Sequence, residues 1–340
     1  MEAKTPALRL EPADEYMHEL EEDSTFNESM YFNVFDPGAE VGGFFRVGNR
    51  ANEGYAEMTV CLYLPDGSVG FMFGRPEIPD NDAFDAGGLS FEVVEPFKAQ
   101  RVAYEGTVAV LADPLAMADP KAAFTGSPHL ECSVELDYRG LSPMLGGEVV
   151  RDSDGEAPFD GTDLSANFAR GHYEQHVGAR GRIAVGDQHW EIDGFGLRDH
   201  SWGPRSWQAP RWYRWLTCNA GEDRGFMVSV IATGEDEEAV RRSGVVFENG
   251  EYTPIVDAAL STETSGEERY HDRIRCLART ADREIEITGT VRSLIPLRHR
   301  REGKTTRIGE ALTEYRWEGH TGYGLAEYLD QIVDGVPVGP

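Results

Sequence analysis

Residues 129–140 read HLECSVELDYRG, where Leu130, Cys132, Val134 and Leu136 alternate with Glu131, Ser133, Glu135 and Asp137. A period of two puts the apolar set on one face and the polar set on the other. That is the pattern of a half-buried β-strand with one wet face. Strand-like segments recur along the chain. Residues 55–74 read as two strands around the turn Pro65-Asp66-Gly67-Ser68. Residues 89–113 give another pair, and residues 181–196 a short-turned hairpin. Residues 224–234, 243–255 and 283–297 continue the theme. Strands roughly ten residues apart, with Gly-rich turns, argue an antiparallel sandwich or barrel. Helical periodicity is confined to DEYMHELEED (residues 14–23) and DEEAVRR (residues 236–242), both short.

A chain of 340 residues suits two domains or one large β fold. The Gly-, Pro- and Asp-rich stretch 141–167 has weak periodicity and divides it near the middle. This predicts an acidic N-terminal extension over 1–25 and barrel-like domains over 26–166 and 167–340. All six Trp follow the break, from Trp190 to Trp317. Sixty Asp and Glu against 32 Lys and Arg give a net charge of −28. Such a surface repels nucleic acid and anionic membranes, so neither is an expected partner. No run of about 18 apolar residues is present to span a bilayer. The first 23 residues lack the apolar core of a secretory signal. Cys61, Cys132, Cys218 and Cys276 are far apart. They read as small core residues of a reducing, cytoplasmic protein.

Chemistry-bearing residues crowd into GFGLRDHSWGPRSW, residues 194–207. In an extended chain Arg198, His200 and Trp202 project one way, Asp199 and Ser201 the other. His200 is a candidate proton carrier, because free His titrates around 6.5. Trp202, Trp207, Trp212 and Trp215 can wall an apolar pocket or shield a cation. The plain alternative is a structural corner with Arg198 and Asp199 paired and Trp202 in the core. GHYEQHVG (residues 171–178) spaces His172 and His176 four apart. On a helix they could share a metal. In a strand they lie roughly 13 Å apart, so no metal is expected and His172 serves better in a pocket wall. In residues 310–331, Glu314 and Arg316 share a strand face, and Glu327 and Tyr328 follow a run of glycines. A carboxyl group carried into an aromatic pocket has a raised pKa and can act as an acid. Otherwise Glu314–Arg316 is a solvated pair and Tyr328 packs. In FNESMYFNVFDP (residues 26–37), Glu28 and Tyr31 are candidates to face a site. No GxSxG elbow, dinucleotide fingerprint or P-loop is present.

The segments NESMYFN, GHYEQ, DGFGLRDHSWGPRSW and YRWEGHTGYGLAEY resemble the two-domain lipocalin-like superfamily of carotenoid 1,2-hydratase (hydroxyneurosporene synthase) and the AttH-like proteins, in a bacterial branch. The resemblance spans about residues 26–330. It implies an all-β protein of two consecutive antiparallel barrel or sandwich domains, an apolar cavity and no redox cofactor. Superfamily relatives hydrate isoprenoid double bonds, and fungal relatives catalyse intramolecular Diels–Alder cyclisation. The expected function is a cofactor-independent lyase or isomerase acting on a small hydrophobic substrate such as a terpenoid or steroid. The acid/base candidates are His200, Asp199, Glu314 and Glu327. The expected pocket residues are Trp202, Trp212, Tyr213, Tyr328, His172 and Tyr31. Arg198, Arg205 and Arg316 would orient the carboxylates by bidentate pairing. A non-catalytic lipid carrier is the alternative, and a titrating group facing an apolar cavity separates the two. Circular dichroism should show a β-dominated spectrum with little helix; a helical spectrum would overturn the fold reading.

Overall fold

A computed structural model describes residues 8–150, 169–236 and 239–340. The strands assemble into two antiparallel sheets. In the first, eight strands close a ring. Gly171–Val185 pairs with Gln188–Pro204, which pairs with Phe26–Asp36. Val41–Arg50, Tyr55–Tyr63 and Val69–Gly74 follow. Ala99–Leu111 and His129–Gly140 bring the ring back to Gly171–Val185. Closure leaves these strands no open edge. The second sheet is an open path from Glu251–Ile255 through Trp212–Asn219, His320–Val333 and Lys304–Trp317 to Asp257–Ser265.

The alternation assigns the faces. Phe32, Phe45, Val60, Val134, Leu136 and Ile183 fill the barrel. Phe226, Val228, Ile274, Ile287 and Tyr315 form a second core against the inner face of the other sheet. Between the sheets, Tyr31, Phe44 and Phe71 of the barrel's outer face pack with Ile295, Leu312 and Leu325. All four cysteines are buried and free.

The division expected at 166/167 falls in residues 151–168, outside those described. The strands on either side of it, Leu145–Val149 and Gly171–Val185, are neighbours in the first sheet. The chain changes sheet between Pro204 and Trp212, so the RDHSWG strand completes the barrel. The helix expected over 14–23 is reduced to a 3-10 turn at Pro12–Glu15. The helix expected over 236–242 gives way to the strand Val240–Glu248, which pairs with Arg224–Ala232; residues 237–238 are not described. Two other helical turns, Pro114–Ala118 and Pro120–Gly126, are capped by Asp113 and Asp119.

Tertiary bonds explain the lost N-terminal helix. Glu15 is fully buried and receives both terminal nitrogens of Arg198, with Nη2 at 3.0 Å. It also accepts from the Phe97 amide at 2.6 Å and the Tyr173 hydroxyl at 2.9 Å. His18 stacks on Trp202 at 4.0 Å between ring centroids. The acidic arm is therefore a plug in the barrel rather than a loose extension. Removing one partner of a buried ion pair costs about 3–5 kcal/mol, whereas an exposed pair is worth about 0–1 kcal/mol. Glu15→Gln should lower the unfolding free energy in urea by about 3–5 kcal/mol. Glu191→Gln, which removes the exposed Arg182 pair, should change it by less than about 1 kcal/mol. Equal effects would show that the arm is not part of the core.

Candidate active site between the two sheets

Each half of the site is a hairpin. In the barrel, Val185 and Gln188 flank a tight turn, and counting back along both strands places Glu174 opposite Asp199. In the second sheet, Trp317 and His320 flank the Glu318-Gly319 turn, and the same counting places Glu310 opposite Glu327. Gly319 has φ +81°, the positive value that such turns need and that glycine supplies without strain. Close packing also fixes the barrel hairpin. A side-chain carbon on Gly196 would lie 2.0 Å from the Asn33 carbonyl oxygen, so only glycine lets Gln188–Pro204 meet Phe26–Asp36 there.

All four carboxylates line one cavity of about 1170 Å³ at the junction of the sheets. Tyr31, Arg46 and His172 of the barrel also face it, as do Tyr213 and Trp215 of the second sheet. Arg205 and Trp207 reach it from the segment that joins the sheets. Phe44, Phe71, Leu297 and Ile308 add apolar wall. A space this large, with aromatic and aliphatic walls among which many ionisable side chains converge, has the character of a small-molecule site.

Burial dominates the electrostatics. It raises Glu310 to about 8, and the charge of Asp199 adds to the shift. Glu327 is raised to about 8 for the same two reasons. Burial and then Asp199 also push Glu174 well above the usual carboxylate range. The Tyr213 hydroxyl donates to Glu327 Oε1. Glu310 Oε2 is buried with no hydrogen-bond partner among the described residues. Burial and the neighbouring Arg46 lower Arg205 to about 9, which leaves it charged at neutral pH. Arg205 donates to Ser201 Oγ at 2.8 Å and lies over Trp207 at 4.6 Å. Arg46 lies over the same indole at 5.4 Å. Glu57 accompanies Arg46 at 3.6 Å and Arg75 at 3.2 Å. Burial disfavours its charge, yet Arg46 and Arg50 hold its carboxyl below the usual range.

The structure brings together Asp199, Glu327, Tyr213, His172, Tyr31, Arg205, Trp207 and Trp215 of the residues singled out in the sequence. The others lie elsewhere. Arg198, His200 and Trp202 are buried on the opposite face of the strand Gln188–Pro204. Arg198 pairs with Glu15 rather than with Asp199 or Glu314. His200 meets Glu28 at 3.0 Å and the Tyr173 hydroxyl at 3.1 Å. Glu28 shares that face, opposite to Tyr31. Trp212 and Tyr328 belong to the second sheet's own core. Tyr328 stacks on His271 beside a cleft of only about 20 Å³. Glu314 pairs with Arg316, which is 71% exposed, and with Arg292. His172 and His176 both lie in the strand Gly171–Val185, so the extended spacing applies to them.

Sequence reasoning passed over Glu174, Glu310, Arg46 and Glu57. Glu174 and Glu310 were reachable by counting strand register back from Gly186-Asp187 and Glu318-Gly319. Arg46 and Glu57 had no comparable local signal.

Three solved structures share this fold of a closed eight-stranded barrel followed by a second antiparallel sheet. An AttH protein of Nitrosomonas europaea superposes with a TM-score of 0.58 at 13% identity, over 99% of this chain and 100% of that one. CghA gives 0.54 at 12% identity, over 93% and 90%. Kievitone hydratase of Nectria haematococca gives 0.54 at 10% identity, over 89% and 88%. The chain belongs to the family described as "Domain of unknown function (DUF7064)", which matches residues 11–332. No curated protein matches the sequence. Among the described residues no helix is long and apolar enough to cross a membrane.

The raised carboxyls make stability depend on pH. Glu310 and Glu327 keep their protons in the folded protein to about 8, while the unfolded chain releases them near about 4.3. Their contribution is therefore complete at low pH and is lost as pH rises through that interval. Glu327→Gln, a neutral isostere, should lose less stability than wild type between pH 5 and pH 8. Denaturant midpoints measured across that range should diverge toward pH 8. Parallel curves would mean that Glu327 is ionised in the folded protein.

Proposed function

We propose that this protein is a lyase or isomerase that moves protons on a largely apolar substrate held between the two sheets, without a redox cofactor. The terpenoid and steroid class suits the volume and the aromatic walls. The observation that carries the reading is the pair Glu310 and Glu327, two carboxylic acids that stay protonated to about 8 inside an aromatic cavity. A passive carrier has no use for a costly buried acid.

Glu327 is the donor. Its carboxyl proton passes to an alkene carbon or to a leaving hydroxyl, and the Tyr213 hydroxyl steadies the carboxylate that forms. Positive charge left on the substrate sits near Asp199 and the face of Trp215, since the Trp207 indole is taken by Arg205 and Arg46. Addition of water to that cation, with return of the water's proton to Glu327, completes a hydration. Loss of a neighbouring proton instead gives an isomerised or dehydrated product. Glu310 shares its strand register with Glu327 and serves as the second proton site. Arg205, through Ser201, and Arg46 hold the wall beside Asp199. His200, Arg198 and Trp202 support that wall from behind. The name of the hydratase among the structural neighbours agrees with this chemistry.

The test starts from the ligand that the protein retains. Solvent extraction and mass spectrometry identify it, and the compound is then incubated with fresh protein in D2O. It should gain or lose the mass of water, or take up deuterium. Turnover should fall as pH rises through about 8. Glu327→Gln should lower the rate by about 10²–10⁴ and still bind the compound. A ligand returned unchanged and free of deuterium would make the protein a carrier.

A further inference from the structure

A second cluster lies on the far side of the strand Gln188–Pro204, inside the barrel and away from the cavity. It joins the N-terminal arm through His18, the strand Phe26–Asp36 through Glu28 and the RDHSWG strand through His200. His18 Nδ1 is 2.6 Å and His200 Nε2 is 3.0 Å from the same atom, Glu28 Oε1. The other oxygen, Oε2, is held at 2.9 Å by the His18 amide and at 2.7 Å by Asn81 Nδ2. These three ligand atoms all lie within 4.8 Å of one another.

Proton counting shows what this point lacks. Glu15 accepts from both terminal nitrogens of Arg198 and from the Phe97 amide, so it is a carboxylate. The Tyr173 hydroxyl has one proton and gives it to Glu15 at 2.9 Å. His200 Nδ1, 3.1 Å from the same hydroxyl oxygen, must then donate to it. A neutral imidazole carries one N–H. The lone pair of His200 Nε2 thus points at a lone pair of Glu28 Oε1. Something positive belongs between them. A second proton on His200 would serve that pair alone. A metal ion would serve His18 Nδ1 as well.

The structure assigns to His18, Glu28 and His200 a site for one divalent ion of the zinc type. Two His and one Glu form an established zinc ligand set that leaves a position for water. Zinc–ligand bonds of about 2.0–2.1 Å hold tetrahedral ligand atoms roughly 3.3 Å apart. To reach that, the two contacts on Oε1 need to open by roughly 0.7 Å at His18 and roughly 0.3 Å at His200. An outer-shell partner is in place at one ligand: His200 Nδ1 is hydrogen-bonded to Tyr173, whereas Asp14 Oδ1 stands 3.5 Å from His18 Nε2 without a hydrogen bond. Carboxylates and hydroxyls in that position orient metal-bound imidazoles. The His18 side chain is 20% exposed and gives a route in from solvent. Such an ion would pin the N-terminal arm to the barrel wall.

The experiment uses untagged full-length protein. Elemental analysis after purification in zinc-containing medium should find close to one zinc per chain. Stripping with a chelator should lower the melting temperature by several degrees, and zinc should restore it. Cobalt added to the stripped protein should give visible ligand-field absorption. His18→Ala changes only the partly exposed ligand, and it should hold less than a tenth as much metal and lose the cobalt signal. Stripped wild type that takes up neither zinc nor cobalt, with an unmoved melting temperature, would overturn the site.

Discussion

A β-strand has two faces, and the strand Gln188–Pro204 carries ionisable groups on both. Arg198, His200 and Trp202 enter the barrel, where Glu15, Glu28 and His18 meet them. Asp199 and Ser201 enter the space between the sheets. Neither set tolerates a shift, because a slip of one residue would exchange the faces. The register is held by a short turn at one end and by close glycine packing along the strand. The cavity thus inherits its geometry from a buried ion-pair network that it does not touch.

That network offsets a cost. Burying Glu174, Glu310 and Glu327 around Asp199 works against folding, since each loses hydration and Asp199 penalises a second charge. A barrel closed on itself, with its arm bonded into the interior, supplies a rigid wall that can carry such groups. The unfavourable electrostatics and the favourable packing occupy opposite faces of the same sheet.

Much of the fold was legible in the sequence because a period of two is a strong signal. The hairpins at 55–74, 89–113 and 181–196 form as that signal requires. The faces of Arg198, Asp199, His200, Ser201 and Trp202 also followed from it. Two things were hidden. A short acidic stretch at 14–23 looks helical, yet Glu15 and His18 are committed to residues some 180 positions away or, for His18, to Glu28 and Trp202. No local propensity reports such bonds. The second was which face of each strand lines a cavity. Asp199 and His200 are equally suggestive in sequence, and only the docking of the second sheet decides that Asp199 faces the open space. Glu310 stayed unnoticed beside Glu314, although the Glu318-Gly319 turn fixes its opposition to Glu327.

The site's walls come from the outer surface of the barrel and the facing surface of the second sheet, not from either main core. Residues such as Phe73, Ile231 and Leu297 line it while Phe45, Val60 and Leu136 fill the barrel. Replacing an exposed wall residue such as Phe73 therefore leaves both main cores untouched, whereas Tyr31, Phe44 and Phe71 also hold the two sheets together. Selection can reshape the cavity for a new substrate while the scaffold stays folded. The architecture separates what the protein must keep from what it is free to change.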